Sequence, residues 1–393
     1  MAIFPHPLGG LTDEQVQNLA VQAHVKTVAA IAKAATNTVV ASTAAQGERL
    51  AAPADPAELQ AWCFERGWSD GFPIIAPTQE AVARLVAGSG RRAEDLVGVV
   101  PPRGGMATVE QVAVSAVMAG CRPAHMPVIL AALQAMLEPQ FNLASIQATT
   151  HPVAPLLIVH GPIAKSLQMN SGAGVFGPGS LANAVIGRAI RLILLNIGGG
   201  TPGTVDRSTQ GAPSKYGYCI AENIDASPWG SFASERGLAR DANAVTVFGG
   251  EPPHNVNDHE HGDAQGILRV AADVLRTLGS NTWFIAWKGR KELMLILGPE
   301  HAASIAASGW SRRDVQKFLY DAISRRRDEL SLGGMYGMRD WSPGLEQLAS
   351  PDSLIPAVPN PEDILVLVAG GEGKHSAALP SFGATVSVTR AID

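Results

Sequence analysis

Four short runs of successive apolar residues punctuate this chain: Pro155 to His160 (PLLIVH), Ala244 to Phe248, Leu293 to Leu297 and Ile364 to Ala369. Apolar side chains at nearly every position, rather than every second one, are the pattern of strands buried on both faces. Between them, apolar residues spaced for a helix face predict helices over Glu58 to Gly67, Thr78 to Ala87, Met106 to Gly120 and Pro127 to Glu138. Further helices are predicted over Ser180 to Leu195, Ala264 to Leu278, Glu300 to Ala307 and Ser311 to Arg325. Thr12, Thr78 and Thr108 stand where N-caps belong. An alanine- and valine-rich helix is expected from Asp13 to Ala45, followed by a linker over Gln46 to Pro56. Phe141 to Thr150 reads as extended. Trp283 to Trp287 reads as a strand joined to Leu293–Leu297 by a hairpin over Lys288 to Lys291.

Strands alternating with helices predict an α/β fold of mainly parallel strands with flanking helices and Gly-rich strand-end loops, in more than one lobe. The expected divisions are 1–56, a helical segment and linker; 57–240, a first α/β lobe; and 241–393, a second. Three of the predicted strands end alike: Val245–Phe248 in GGEPPH, Leu293–Leu297 in GPEH, and Ile364–Ala369 in GGEGKH. If they share a sheet, Glu251, His254, His301, Glu372 and His375 converge at one rim. The other reading is chance recurrence of a common strand-glycine turn.

Composition narrows the partners. The 393 residues carry a formal net charge of -5 with 17% charged residues, so no concentrated basic face favours nucleic acid. The one basic run, Arg325-Arg326-Arg327, reads as a solvated helix end. Cys63, Cys121 and Cys219 are far apart and form no CxxC pair, which disfavours a disulfide scaffold or a thiolate zinc site. A reducing, cytoplasmic setting is expected, with no signal peptide and no apolar run long enough to span a bilayer.

Candidate chemistry concentrates in the stretch after the second apolar run, GGEPPHNVNDHEHGD. Two glycines and two prolines break the strand, and His254, Asn255, Asn257, Asp258, His259, Glu260, His261 and Asp263 follow. Imidazoles and carboxylates this dense suit proton transfer, a polar substrate, or a divalent metal such as zinc or iron, with His254 and His259 as ligands. A solvated loop is the plain alternative. His151, Glu222 and Asn223 are secondary candidates, and Cys219 reads as a buried inert thiol.

The run Asn170 to Gly179 (NSGAGVFGPG) contains a literal GxGxxG at Gly172, Gly174 and Gly177. A dinucleotide site requires a strand directly before it and an acidic residue at ribose distance, and neither is present. A Walker-type loop is excluded because no Gly-Lys-Ser/Thr follows. What remains is a loop whose free N–H groups and following helix start hold an anion, or a glycine loop used for close packing.

Several of these segments carry a family resemblance. WSDGFP (Trp68–Pro73) with Pro77-Thr78, AGCRP (Ala119–Pro123), QATTHP (Gln147–Pro152), NSGAGVFGPG, PHNVNDH (Pro253–His259) and AGGEGKHS (Ala369–Ser376) resemble the UGSC family of (seleno)proteins. The likeness covers most of residues 60–390. That family is named for selenocysteine or cysteine followed by Gly-Ser-Cys in a small α/β domain, and the motif is absent here. The opening FPHPLGGL (Phe4–Leu11) resembles the end of that small domain. The resemblance therefore implies a split protein: this chain as the large subunit, and a small partner subunit bearing a CGSC-like thiol.

The combined expectation is an enzyme acting on a small polar or carboxylate-bearing substrate, with the thiol or selenol supplied by the partner for nucleophilic or oxidoreductase chemistry. His254, His259, Asp258 and His151 are expected to be catalytic. Asn170, Ser171, Gly172, Gly174, Gly177, Glu222, Asn255, Asn257, Glu372 and His375 are expected to bind substrate. The alternatives are a metal-dependent hydrolase or lyase using the same histidines, and a non-catalytic small-molecule-binding or scaffold subunit.

Overall fold

The computed structural model describes residues 12, 14–15, 17–25, 49–283, 291–332 and 350–392. The chain divides into two compact units, Met1–Ala51 and Ala52–Asp393. In the first, residues 17–25 are helical, and Thr12 and Gln15 exchange side chain-to-backbone hydrogen bonds of 3.3 and 2.8 Å, a reciprocal cap. The rest of the predicted Asp13–Ala45 helix, and the Trp283–Trp287 strand with its hairpin beyond Trp283, lie outside the described residues.

The second unit holds twelve described strands: β1 (Leu96–Val100), β2 (Gly105–Thr108), β3 (Ala154–His160), β4 (Cys219–Ala221), β5 (Ala244–Gly250), β6 (His254–Asn257), β7 (Leu293–Leu297), β8 (Arg325–Arg326), β9 (Leu354–Ile355), β10 (Ile364–Val368), β11 (His375–Pro380) and β12 (Val388–Ala391). They build two four-stranded sheets, ordered β12-β5-β3-β4 and β10-β7-β11-β6, and two small ribbons, β1-β2 and β8-β9.

The two large sheets stack face to face, and residue parity shows how. Leu156 and Ile158 of β3, Ile220 of β4 and Phe248 of β5 share one buried cluster with Met294 and Ile296 of β7, Leu365 and Leu367 of β10 and Leu379 of β11. Their neighbours point the other way. Leu157, Val159, Val245 and Val247 pack with the helices Val109–Ala119, Met126–Met136 and Leu181–Asn196. Leu293, Leu295, Val366 and Val368 pack with the helices Ala264–Leu275, Pro299–Ala307 and Arg312–Ile323. The result is four layers, helix–sheet–sheet–helix. β3, β5, β7 and β10 bury both faces, which is why they read as near-continuous apolar runs.

The sheets are mixed. β3 and β4 run parallel, as do β7 and β10, whereas β3-β5, β5-β12, β7-β11 and β6-β11 are antiparallel. The expected mainly parallel arrangement is thus corrected. An antiparallel β11 (HSAALP), with few large apolar side chains, inserts between β7 and β6. The division expected near residue 240 does not separate the sheets, because β5 and β12 complete the sheet that β3 begins. Phe141–Thr150 is not extended. Leu143–Ala148 is helical, burying Leu143, Ile146 and Gln147 at the i, i+3, i+4 positions of one face.

Cap chemistry matches the sequence at several starts. Thr78 Oγ1 accepts from Ala81 N, and Thr108 forms a capping box with Gln111 that starts the Val109 helix directly after β2. Arg325 and Arg326 are not a free helix end. They form β8, and their guanidinium groups meet Glu329, Asp328 and Asp352.

Candidate functional site

β6 is the edge strand of the second sheet and begins immediately after the Pro252-Pro253 break. Its register on β11 pairs Asn257 with His375, Val256 with Ser376, Asn255 with Ala377 and His254 with Ala378. Paired residues share a face. Val256 and Ala378 belong to the helix-side core, so Asn255, Asn257 and His375 stand on the face toward the other sheet and His254 on the opposite one.

At the open end of this edge the structure brings three polar side chains together. His375 Nδ1 lies 3.0 Å from Asn255 Oδ1, and His375 Nε2 lies 3.4 Å from His259 Nε2. The two rings meet edge-on, 5.1 Å between centroids at 78°. All three residues are exposed. An amide oxygen only accepts, so His375 donates through Nδ1 and, when neutral, presents a lone pair at Nε2. His259 then donates from Nε2. Asn255 fixes the tautomer of an exposed imidazole base, the role an orienting group plays in acid–base sites.

The loop carrying His259 is held from below. Asp258, 5% exposed, accepts from the N–H groups of Glu260 and His261 and from the His261 ring. Burial alone would raise the Asp258 carboxyl, but these donors outweigh it and hold the group below its ordinary range. The buried His301 lies with Nε2 3.0 Å from Asp258 O and Nδ1 2.8 Å from Ser376 Oγ, which also accepts from Gly298 N. Lys374 Nζ donates to His259 O at 3.0 Å. Asp258, expected to be catalytic, is therefore placed inside the turn as an anchor, and His301 sits beneath it.

The glycine-rich loop packs on the turn leading into His375. Gly370 N donates to Ser171 O at 2.8 Å, and a Cβ on Gly371 would lie 2.6 Å from Ala173 Cα. Gly371 is glycine because no side chain fits there. Within the loop, Gly172 N donates to Asn170 Oδ1, Gly177 N to Gly174 O, and Asn170 exchanges two hydrogen bonds with the buried Asn183. The amides of Gly172 and Gly177 are thus occupied within the loop, which matches the close-packing reading better than an anion cradle. Asn223 joins from the end of β4, donating from N to Val368 O and from Nδ2 to Gly370 O. Glu372, in the same turn, is exposed.

Other expected site residues lie elsewhere. Glu222 is buried. Its Oε2 sits 2.6 Å from His160 Nδ1 and accepts from Ser231 Oγ, and its Oε1 accepts from Phe232 N. His160 Nε2 in turn lies 2.8 Å from Thr246 Oγ1, itself 2.8 Å from Thr389 Oγ1. The buried Glu222 therefore has both oxygens hydrogen-bonded within the protein. His151 Nε2 lies 2.6 Å from Glu251 Oε1 at the β5 end that pairs with the start of β3. Glu251 N donates to Pro380 O, so the length of β11, about 17 Å at strand rise, separates this pair from His375. Of the three strand-end motifs, those of β7 and β10 share a sheet and that of β5 belongs to the other.

Sequence reasoning missed His160, Thr246 and Ser231, which no local spacing links. A titratable residue closing an otherwise apolar strand was the one available signal. For a metal, His259 and His375 offer two imidazole donors, with His254 on the other face of β6. Among the described residues no group of three His, Cys, Asp or Glu side chains is placed to hold an ion. No helix among them is long and apolar enough to cross a membrane. Comparison with protein-family models, with curated proteins and with solved structures finds no match.

Proposed function

We propose that this chain is the large subunit of a heteromeric enzyme acting on a small polar or carboxylate-bearing substrate at the β6–β11 edge. The observation that carries this reading is the exposed Asn255–His375–His259 relay, an oriented imidazole base beside a second imidazole. In this reading His375 Nε2 takes a proton from the substrate or from an incoming thiol, His259 returns one, and Asn257 and Glu372 bind polar substrate groups. A thiol or selenol comes from a small partner subunit, as the resemblance to the UGSC family implies. The chain's own cysteines support that division of labour. Cys63, Cys121 and Cys219 are all buried, and burial raises each thiol above its ordinary value, which disfavours the reactive thiolate.

Co-expression with a short protein bearing a Cys-Gly-Ser-Cys-like motif, followed by size exclusion and a screen for thiol-dependent turnover of small carboxylates, tests the proposal. A stable complex whose turnover falls on His375→Gln is expected. Full activity of this chain alone, or of the complex with both histidines replaced, would sink it.

A further inference from the structure

A second polar centre lies beneath the helix Leu181–Asn196, beside the start of β3, and has no part in the edge site. There a cavity of about 30 Å³ is lined by Arg191, Lys215, Asp206 and Ser214, with Ile190 and Tyr218 among its apolar walls. Lys215 Nζ lies 3.0 and 2.9 Å from the two carboxylate oxygens of Asp206, whose Oδ1 also accepts from Ser208 N. Arg191 approaches the same carboxylate no closer than 3.9 Å, and its Nη2 makes a long 3.3 Å hydrogen bond to Gly200 O. The next charges outward cancel, since Arg188 grips both oxygens of Asp70 at 2.9 and 2.8 Å.

Two cations therefore face one carboxylate, and the carboxylate is committed to Lys215. Arg191, its side chain 14% exposed, is left with no carboxylate oxygen at hydrogen-bonding distance, a costly arrangement for a largely buried charge. Burial lowers both Arg191 and Lys215 from their ordinary values despite Asp206, the sign of incomplete compensation. Ser214 Oγ, on the cavity wall, is buried with no hydrogen-bond partner in the chain. A lone hydroxyl donor and an under-paired guanidinium on one small cavity are complementary to negative charge.

We propose that this cavity binds one small monovalent anion of chloride's size, held by the Arg191 guanidinium and the Ser214 hydroxyl, with the Lys215 ammonium on its flank. A space of this size is ample for one water-sized occupant. It accommodates a halide. Bound there, the anion ties the turn Pro213–Lys215, which leads into β4, to the helix Leu181–Asn196, and stabilises the folded chain by mass action.

Thermal melts of the full-length chain at constant ionic strength, with chloride replaced stepwise by gluconate, read the binding directly. A saturable rise of about 3 °C in chloride is expected, and Arg191→Met should abolish it. Ser214→Ala, a gentler change, should keep the fold and move the chloride midpoint to higher concentration by about threefold. Bromide-soaked crystals of the wild-type protein should show an anomalous peak between Arg191 and Ser214. Identical melts in chloride and gluconate, a chloride response that survives Arg191→Met, or a cavity without bromide would each overturn the proposal.

Discussion

Two histidine constellations in this molecule use the same chemistry for opposite ends. His160 is fully buried between the sheets, with Glu222 on one ring nitrogen and Thr246 on the other. His375 is exposed at a sheet edge, with one nitrogen fixed by Asn255 and the other directed at a second imidazole. On paper the first resembles a catalytic dyad more closely, since a carboxylate orients the ring. Its ring is fully buried, and both ring nitrogens and both Glu222 oxygens are answered by the protein. The difference teaches that a short His–carboxylate distance marks hydrogen-bond saturation as readily as catalysis, and that exposure to solvent is what separates the two rings.

The sharpest way to break this comparison is to remove each ring in turn. His160→Ala leaves the Glu222 carboxylate buried without its main partner and should cost about 3–5 kcal/mol in urea unfolding. The folded fraction should keep its specific activity. Leu157→Ala, on the helix-side face of β3, should cost about 2–4 kcal/mol, again with activity retained. His375→Ala and His259→Ala should do the reverse, lowering turnover of the reconstituted complex by about 100-fold while stability moves by less than about 1 kcal/mol. If His160→Ala keeps stability and loses activity, the assignments must be exchanged.

Two smaller effects sharpen the comparison further. Burial lowers the Lys291 ammonium, which donates to Thr282 O, to about 7 against an ordinary 10.5, although Glu251 opposes the shift. Below about 7 both the folded and the unfolded chain hold that proton. Between about 7 and 10.5 only the unfolded chain does, so this group makes stability rise with pH across that window. Urea unfolding at pH 7, 8 and 9 should therefore show a steeper rise for the wild type than for Lys291→Met. Smallest of all, His254→Ala should change neither turnover nor melting measurably, since His254 stands on the other face of β6 from His375. A large loss of turnover on that substitution would return His254 to the site.

The sequence exposed the strands whose both faces are buried and concealed those that are not. β3, β5, β7 and β10 stand out because nearly every position is apolar. β6 (HNVN) buries only Val256 and reads as a loop, and β11 opens with the polar His375-Ser376, so the edge that carries the candidate site had no hydrophobic signature. That edge was located by its density of His, Asn and Asp alone. How the side chains sort was beyond reach for a physical reason. Whether Asp258 anchors and His259 presents, or whether Glu222 faces substrate or His160, depends on the register of β6 on β11 and on partners such as His160 and Ser231 at opposite sequence distances. Register is set by pairings between segments more than a hundred residues apart, which no local pattern encodes.

β12 gives the molecule a timetable. It pairs with β5, and its Thr389 steadies the Thr246 hydroxyl that His160 contacts, yet it lies far downstream of β3, with the whole second sheet translated in between. On the ribosome, β3, β4 and β5 emerge with one edge open and a buried polar network one member short. Non-local closure of this kind is slow and leaves an unpaired strand exposed in the meantime. The nascent chain must therefore wait for β12 before the first sheet is finished, and during that interval β5 is the edge a chaperone would have to guard.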